Sequence, residues 1–188
     1  PKANSIIAVS EAVKQDLINN YNLNKKSIKV IYNPYDIDQI LTQSKKELPK
    51  YYKNIYNNKR VIISIGRLSE QKGFYNLIKT FAYLREIYSD LELVIVGDGE
   101  QDNYLTKLTE ELGIKEDVTF TGYQKNPFIF IKNAYIFVMT SFFEGFPNAL
   151  CEAMACGIPV VSVDCQSGPR EILYQDTKLD HTASEVEL

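Results

Sequence analysis

Short apolar runs alternate with longer amphipathic stretches along most of the chain. Four to eight consecutive apolar residues bounded by turn residues are typical of buried strands, whereas apolar residues three and four apart are typical of helices. The clearest case is an amphipathic stretch at 74–88 that lies between two apolar runs, 61–65 and 91–96. One face of the predicted helix carries Leu77, Ile78, Phe81 and Leu84.

The same pattern extends over the whole chain. It predicts strands at residues 5–9, 28–32, 61–65, 91–96, 118–121, 134–140 and 160–163. It predicts helices at residues 11–20, 36–44, 74–88, 103–112, 127–132, 148–156 and 169–174, and a polar, Tyr-rich connector at 45–59. Strands that are apolar throughout and alternate with helices indicate a parallel sheet covered on both faces. We therefore predict an α/β fold.

The predicted loop 66–73 carries two cations, Arg67 and Lys72, between the glycines Gly66 and Gly73. In a parallel α/β sheet, ligands bind in the loops that follow the carboxyl ends of the strands. Arg offers a planar fork of donors and Lys a compact charge, so the pair suits a diphosphate. The alternative is a turn with two solvated cations, but the position of the loop in the predicted fold favours the diphosphate.

A second predicted loop, 144–148, precedes a helix and has an acid on either side of the helix start, Glu144 and Glu152. Carboxylates accept hydrogen bonds from vicinal hydroxyls, whereas the N–H groups of a helix N-terminus attract anions. We expect the N–H groups of residues 148–150 to meet a phosphate. Taken alone, the two acids have a simpler explanation: one is a negative charge near a helix N-terminus, where the helix dipole favours it, and the other is an exposed surface residue. Together with the cations of the first loop they fit a nucleoside diphosphate sugar.

Composition and charge exclude several classes of function. The net charge of −3 argues against a non-specific nucleic-acid binder. No apolar run reaches the roughly 18 residues of a membrane span. Cys151, Cys156 and Cys165 are set among apolar residues, which predicts reduced core thiols in a cytosolic protein rather than a zinc site. Because the first residue is Pro rather than Met, we expect the chain to be a piece of a longer protein.

Three other motifs are weaker. Residues 96–99, Val-Gly-Asp-Gly, resemble the start of a dinucleotide fingerprint, but Asp102 stands where its third Gly should be, so a plain turn is favoured. Asp36 and Asp38 have the Asp-x-Asp spacing of a metal site, yet they follow a Pro turn and open a helix, which favours N-capping. His181, the only His, lies in a polar tail and forms neither a metal site nor a triad alone.

Three stretches of the chain carry a resemblance to a known family. They are Gly66-Arg67-Leu68-x-x-x-Lys72-Gly73, then Val94-Ile95-Val96-Gly97-Asp98-Gly99, then Glu144-Gly145-Phe146-Pro147-Asn148-Ala149-Leu150-Cys151-Glu152 with the Ala153-Met154-Ala155-Cys156-Gly157-Ile158-Pro159-Val160-Val161 that follows. In this order and spacing they resemble the C-terminal half of family-4 retaining glycosyltransferases with the GT-B fold. The resemblance covers roughly residues 5–173.

The resemblance implies roles for particular residues. Arg67 and Lys72 would hold the donor diphosphate and stabilise its negative charge as it leaves, so no metal ion or other cofactor is expected. Glu144, the first Glu of the family's Glu-x7-Glu motif, would face the donor sugar, and Glu152 would accept from the ribose hydroxyls. Tyr123 would lie near the base. The other implied donor-binding residues are Gly66, Gly73, Phe146, Pro147, Asn148, Ala149 and Leu150, with the non-proline residues of the stretch 146–150 as a source of backbone N–H groups.

The resemblance also implies an organisation and a function. The fold would be one half of a GT-B pair of Rossmann-like domains. Residues 1–35 would be the last strand and helix of the N-terminal acceptor domain with its linker, and residues 36–188 a C-terminal donor domain with an atypical end. The implied reaction is retaining, metal-independent glycosyl transfer in polysaccharide or glycolipid synthesis. The stretch 164–171 resembles members that use UDP-hexose or UDP-N-acetylhexosamine.

The implied partners are a UDP-linked donor and a glycan or lipid-linked acceptor held by the missing acceptor domain, with no nucleic acid. We expect a cytoplasmic protein whose full-length form acts at the inner face of the membrane. The isolated piece is expected to bind donor weakly and to transfer little or no sugar. Two alternatives stay open: a GT-B-like sugar-nucleotide epimerase, and a non-catalytic sugar-nucleotide-binding or assembly module.

Overall fold

The structure, a computed structural model, describes residues 3–165 and 168–174, so His181 and the polar tail lie outside the described residues. By its internal contacts the chain divides into two compact units. The smaller unit comprises the described residues among 1–35, 143–148 and 164–188, and the larger unit comprises 36–142 and 149–163. The assignment of 1–35 to an acceptor domain and of 36–188 to a donor domain stays a prediction.

The smaller unit contains a two-stranded parallel sheet and two helices. Its elements are β1 (Ile6–Ala8), α1 (Glu11–Tyr21), β2 (Ile28–Val30) and α8 (Gly168–Leu173). α1 begins as predicted because Ser10 caps it: the Ser10 Oγ accepts a hydrogen bond of 3.1 Å from Val13 N.

The larger unit is built on a five-stranded sheet. Its strands are β3 (Arg60–Ile65), β4 (Leu91–Val96), β5 (Val118–Phe120), β6 (Ile136–Met139) and β7 (Val160–Ser162). Its helices are α2 (Ile37–Ser44), α3 (Lys50–Asn58), α4 (Phe74–Ile87), α5 (Asp102–Glu111), α6 (Phe128–Asn133) and α7 (Asn148–Ala155), of which Asn148 is counted with the smaller unit. The strand order is β5-β4-β3-β6-β7 and every pairing is parallel. The predicted α/β fold with a parallel sheet is confirmed.

β4 shows why this sequence makes a covered parallel sheet, since all six of its residues are buried. Its odd-numbered residues pack against α4 and α5 on one face of the sheet. Fully burying one Leu, Ile or Phe side chain contributes about 1.5–3 kcal/mol. The side chains in this part of the core that are at most 1 % exposed are Leu68, Phe74, Ile78, Phe81, Leu93, Ile95 and Leu105.

The predicted connector at 45–59 is wrong in part, because nine of its residues form α3. Tyr52 and Tyr56 lie four residues apart and therefore on one side of this helix. Their rings contact the ring of Phe130 in α6, with centroid distances of 5.0 and 6.4 Å. No side-chain cap stabilises the start of α3, so aromatic packing rather than capping holds it. The four-residue spacing of Tyr52 and Tyr56 indicates a helix, although the polar composition of the segment is typical of a connector.

The structure also bears on two smaller expectations. Asp36 is the N-cap of α2, with its Oδ1 accepting a hydrogen bond of 2.8 Å from Gln39 N, so the capping interpretation is confirmed. Within the ranges that the structure describes, no helix is long and apolar enough to span a bilayer.

Glu92, in β4, is the one acidic side chain that the described part of the chain buries almost completely, at 4 % exposure. Its Oε1 accepts a hydrogen bond of 2.8 Å from Thr119 Oγ1. Burial raises the pKa of Glu92, with Asp117 adding to the shift and Thr119, Lys59 and Arg85 opposing it.

We expect Glu92→Gln to increase the stability of the protein at neutral pH and to flatten its dependence on pH. The pKa of Glu92 is higher in the folded than in the unfolded state, so between these two pKa values the folded state binds more protons. The free energy of unfolding therefore falls as the pH rises through this range. Gln cannot ionise and still accepts from Thr119. Urea denaturation from acid to neutral pH checks this, with the exposed Glu86→Gln as control; a stability gain that persists at acid pH would contradict the electrostatic cause.

Candidate functional site

The strand order of the larger unit fixes where a ligand is expected. From β3 the chain adds β4 and β5 on one side, whereas β6 and β7 lie on the other side. The order therefore reverses between β3 and β6, and the carboxyl ends of strands at such a switch point border a crevice that binds ligands in open α/β sheets. The loops that follow these two strands begin at Gly66 and at Thr140.

The loops after β3 and β6 are hydrogen bonded to each other. Thr140 Oγ1 donates to the carbonyl of Lys72 at 3.0 Å, and Phe142 N donates to the carbonyl of Gln71 at 2.9 Å. Gly73 sits at this junction in the left-handed conformation, with φ of 63°, and a Cβ there would overlap the carbonyl oxygen of Thr140. A side chain at position 73 would therefore force the two loops apart.

The loop after β3 is held on its other side by the turn after β4, which is itself hydrogen bonded to the turn after β5. Leu68 N donates to the carbonyl of Asp98 at 2.8 Å, and Gly97 N donates to the carbonyl of Gly122 at 3.0 Å. Gly97 has φ of 142°, and a Cβ on it would overlap the carbonyl oxygen of Gly66. The Gly-Asp-Gly stretch is thus a turn, as expected, but not a plain one. Its glycines let three loops meet, which is a role that the sequence interpretation missed.

The two predicted cations lie at this edge of the sheet. The stem of Lys72 packs on the backbone of Gly66, since a Cβ on Gly66 would lie 3.3 Å from Lys72 Cε and 3.4 Å from Cδ. Gly66 is followed directly by Arg67, whose guanidinium is paired with Glu100. Gly66, Arg67, Lys72 and Gly73 therefore lie on one loop at this edge of the sheet, and Glu100 from the next loop pairs with Arg67. Their role in binding a donor stays a prediction.

Other predicted residues of the larger unit differ in their exposure. Tyr123, which follows β5, is 73 % exposed. Leu150 is fully buried and Ala149 is partly buried, so their side chains offer little surface and only their backbone groups suit the expected role. Glu152 is partly buried in α7, and burial raises its pKa.

The remaining predicted residues, Glu144, Phe146, Pro147 and Asn148, belong to the smaller unit. There the ring of Phe146 lies 5.2 Å from the ring of Tyr32, and Pro147 is buried. A site shared by these residues and the cations of the larger unit stays a prediction.

The Oδ1 atom of Asn148 accepts hydrogen bonds of 2.7 Å from Asn33 Nδ2 and 2.8 Å from Tyr35 Oη. These two partners were not foreseen from the sequence, because they lie more than a hundred positions away along the chain. The side chain of Asn148 therefore has a structural task in addition to the backbone role predicted for this position.

Glu171 is a second polar residue whose task the sequence left unassigned. Its carboxylate accepts from Ala12 N at 2.8 Å, from Glu11 N at 3.0 Å and from Tyr32 Oη at 3.0 Å. Two of these donors are orphan N–H groups of the first turn of α1, where a negative charge is favoured. Burial and the Glu171 carboxylate raise the pKa of Tyr32. Glu171 therefore holds α8 against α1 and the end of β2 within the smaller unit.

The described residues of the larger unit thus carry two cations, Arg67 and Lys72, on one loop at the carboxyl edge of the sheet. Such a set can bind and stabilise an anion with more than one phosphate. Across the described ranges, 3–165 and 168–174, no three His, Cys, Asp or Glu residues are grouped so as to hold a metal ion.

Comparison with known proteins identifies the family. The family described as "Glycosyl transferases group 1" matches residues 44–178, which is most of the chain. The chain belongs to the group 1 glycosyl transferases. Among curated relatives of this group 1 glycosyl transferase, an uncharacterized glycosyltransferase of Methanocaldococcus jannaschii is 41 % identical over 94 % of the chain and 44 % of its own length.

Two further relatives bear on chemistry. An N-acetylgalactosamine-N,N'-diacetylbacillosaminyl-diphospho-undecaprenol 4-alpha-N-acetylgalactosaminyltransferase of Campylobacter jejuni is 35 % identical over 94 % of this chain and 46 % of its own length. The crystal structure of Anabaena HepE in complex with UDP and glucose superposes with a TM-score of 0.79 at 26 % identity, over 91 % of this chain and 47 % of HepE. The likeness agrees with the predicted GT-B type of fold. The group 1 chain spans less than half the length of these relatives.

Proposed function

We propose that this chain is the donor-binding part of a glycosyltransferase and that the diphosphate of a nucleotide sugar binds at the loop after β3. The observation that carries this proposal is that Arg67 and Lys72 both lie on the loop after β3, at the carboxyl edge of the sheet beside the switch point. Lys72 is held there by its packing on Gly66, and the loop is hydrogen bonded to both neighbouring loops. A cationic site that is rigid before the ligand arrives loses little entropy on binding.

In this proposal each predicted residue has a defined task. Arg67 and Lys72 bind the diphosphate and stabilise the charge that develops on it when the bond to the sugar breaks, which is the work that a metal ion does in other enzymes. Glu144 accepts from the hydroxyls of the sugar and Glu152 from those of the ribose. The N–H groups at the start of α7, from Asn148 to Leu150, donate to phosphate, since they have no partner within the helix.

We further propose that the donor is a UDP-hexose or a UDP-N-acetylhexosamine and that the reaction retains the anomeric configuration. Support comes from HepE, which was crystallised with UDP and glucose, and from the Campylobacter relative, whose name gives an N-acetylgalactosaminyl product. That relative acts on an undecaprenol-linked acceptor by its name, so polysaccharide or glycolipid synthesis is the proposed setting. The full-length family-4 enzyme would work in the cytoplasm at the inner face of the membrane, with residues 36–188 as its C-terminal domain.

The test of the proposed function is calorimetric titration of the chain with UDP. We expect UDP to bind with the same Kd in EDTA and in excess Mg2+, because Arg67 and Lys72 supply the positive charge. A requirement for Mg2+ would contradict the metal-independent mechanism. A ligand-observed NMR screen of UDP-glucose, UDP-galactose, their N-acetylhexosamine counterparts and GDP-mannose then identifies base and sugar. If no nucleotide sugar binds, the donor-binding assignment is wrong.

A further inference from the structure

Glu100 is placed so that its carboxylate pairs with the guanidinium of Arg67. Its Oε2 accepts from Arg67 Nε at 3.2 Å and lies 3.2 Å from the Arg67 terminal nitrogen Nη2. The two side chains are 73 % and 56 % exposed, so the pair faces solvent on the edge of the sheet where the diphosphate is proposed to bind.

Hydrogen bonds between the backbones of the two loops hold this pair in place, and most surface ion pairs lack such support. Leu68, next to Arg67, donates through its N–H to the carbonyl of Asp98 at 2.8 Å, and its own carbonyl accepts from Gln101 N at 2.9 Å. Between these bonds Gly99 approaches so closely that a Cβ on it would lie 2.5–2.8 Å from O, N and C of Leu68. The backbones that carry Arg67 and Glu100 are therefore fixed side by side.

We propose that Glu100 is an internal competitor for Arg67 that weakens the binding of the free nucleoside diphosphate more than that of the sugar-linked donor. This inference rests on the proposed function. In the donor, the phosphate that carries the sugar is esterified and has one negative charge; after transfer it is the free terminal phosphate of the diphosphate and carries up to two. The Glu100 carboxylate beside Arg67 therefore repels the product more strongly than the donor. It pairs with the Arg67 guanidinium again as the product leaves. Glu100 thereby limits inhibition by product.

The decisive variant is Glu100→Gln, which removes the charge and keeps the size of the side chain. We expect its Kd for UDP to fall by about two- to fivefold, the range for an exposed ion pair, and its Kd for UDP-glucose to fall by less. Glu70→Gln is the matched control, since Glu70 is an exposed acid on the same loop. It should change neither Kd appreciably.

Competition is separated from a general electric-field effect by repeating the measurement in an Arg67→Ala background. With Arg67 absent, Glu100→Gln should tighten UDP much less, because only the direct repulsion between carboxylate and phosphate is then relieved. Ligand-observed NMR can follow this binding at weak affinity. An undiminished gain in that background, or equal gains for UDP and UDP-glucose, would overturn the inference. So would unchanged or weaker binding of UDP by Glu100→Gln itself. If the unaltered chain binds no UDP, both this inference and the proposed function fail; if it binds UDP and only the variant disagrees, this inference alone fails.

Discussion

Gly97→Ala is expected to lower the free energy of unfolding by about 2–6 kcal/mol, through backbone strain of about 1–3 kcal/mol and overpacking of similar size. Gly97 has φ of 142°, a region that only Gly populates readily, and its Cα faces the carbonyl of Gly66 with no space for a methyl group. The strand ends of β3 and β4 would have to separate. Urea denaturation of the variant measures the loss.

The same change should also weaken UDP binding at a temperature where the variant is still folded. Gly66 supports the stem of Lys72, so a displaced Gly66 moves the ammonium group away from the diphosphate. Gly113→Ala is the matched control: Gly113 has φ of 68°, but a Cβ there meets nothing within 4 Å. We expect Gly113→Ala to lower the free energy of unfolding by about 1–2 kcal/mol and to leave the affinity for UDP unchanged. Equal effects of the two variants on UDP binding would contradict the proposed link between Gly97 and the site.

Local patterns were sufficient to predict the sheet because its central strands, β3 and β4, are buried on both faces and therefore almost entirely apolar. β4 was placed at the right residues, 91–96, despite the acid at its second position. α3 was missed because it depends on contacts with a distant helix: Tyr52 and Tyr56 pack on Phe130, some eighty residues away. A polar stretch whose helix is stabilised by such contacts has little local signal beyond the spacing of its aromatic residues.

The candidate site was predictable where one loop supplied all the information. Arg67 and Lys72 lie between two glycines, and the fold places their loop at the carboxyl edge of the sheet, where the strand–loop–helix pattern predicted it. Glu100 could not be found in this way, because its contact with Arg67 depends on how closely the backbones of two loops approach. Gly97 was noticed in the sequence, but it was compared with a dinucleotide fingerprint. The structure shows that Gly is needed at this position because the neighbouring loops pack closely against it.

Lys72→Met should weaken UDP binding by about 1.5–3 kcal/mol, or roughly 10- to 150-fold in Kd, the range for a hydrogen bond to a charged group. Met keeps an unbranched stem that can pack on Gly66 but removes the ammonium, so the variant isolates charge from packing. The melting temperature should change little. Calorimetry with UDP measures the affinity, and thermal unfolding checks the fold.

The control for Lys72→Met is Lys79→Met, which removes an equal charge from an exposed position of α4, where the ammonium lies 5.6 Å from the ring centroid of Tyr75. If the loss of affinity came only from the overall positive field, the two variants would weaken UDP binding alike, and the assignment of Lys72 to the diphosphate would be wrong. Lys72→Ala adds a further test. It removes the packed stem as well, so it should lose stability that Lys72→Met retains, while its affinity for UDP falls at least as far.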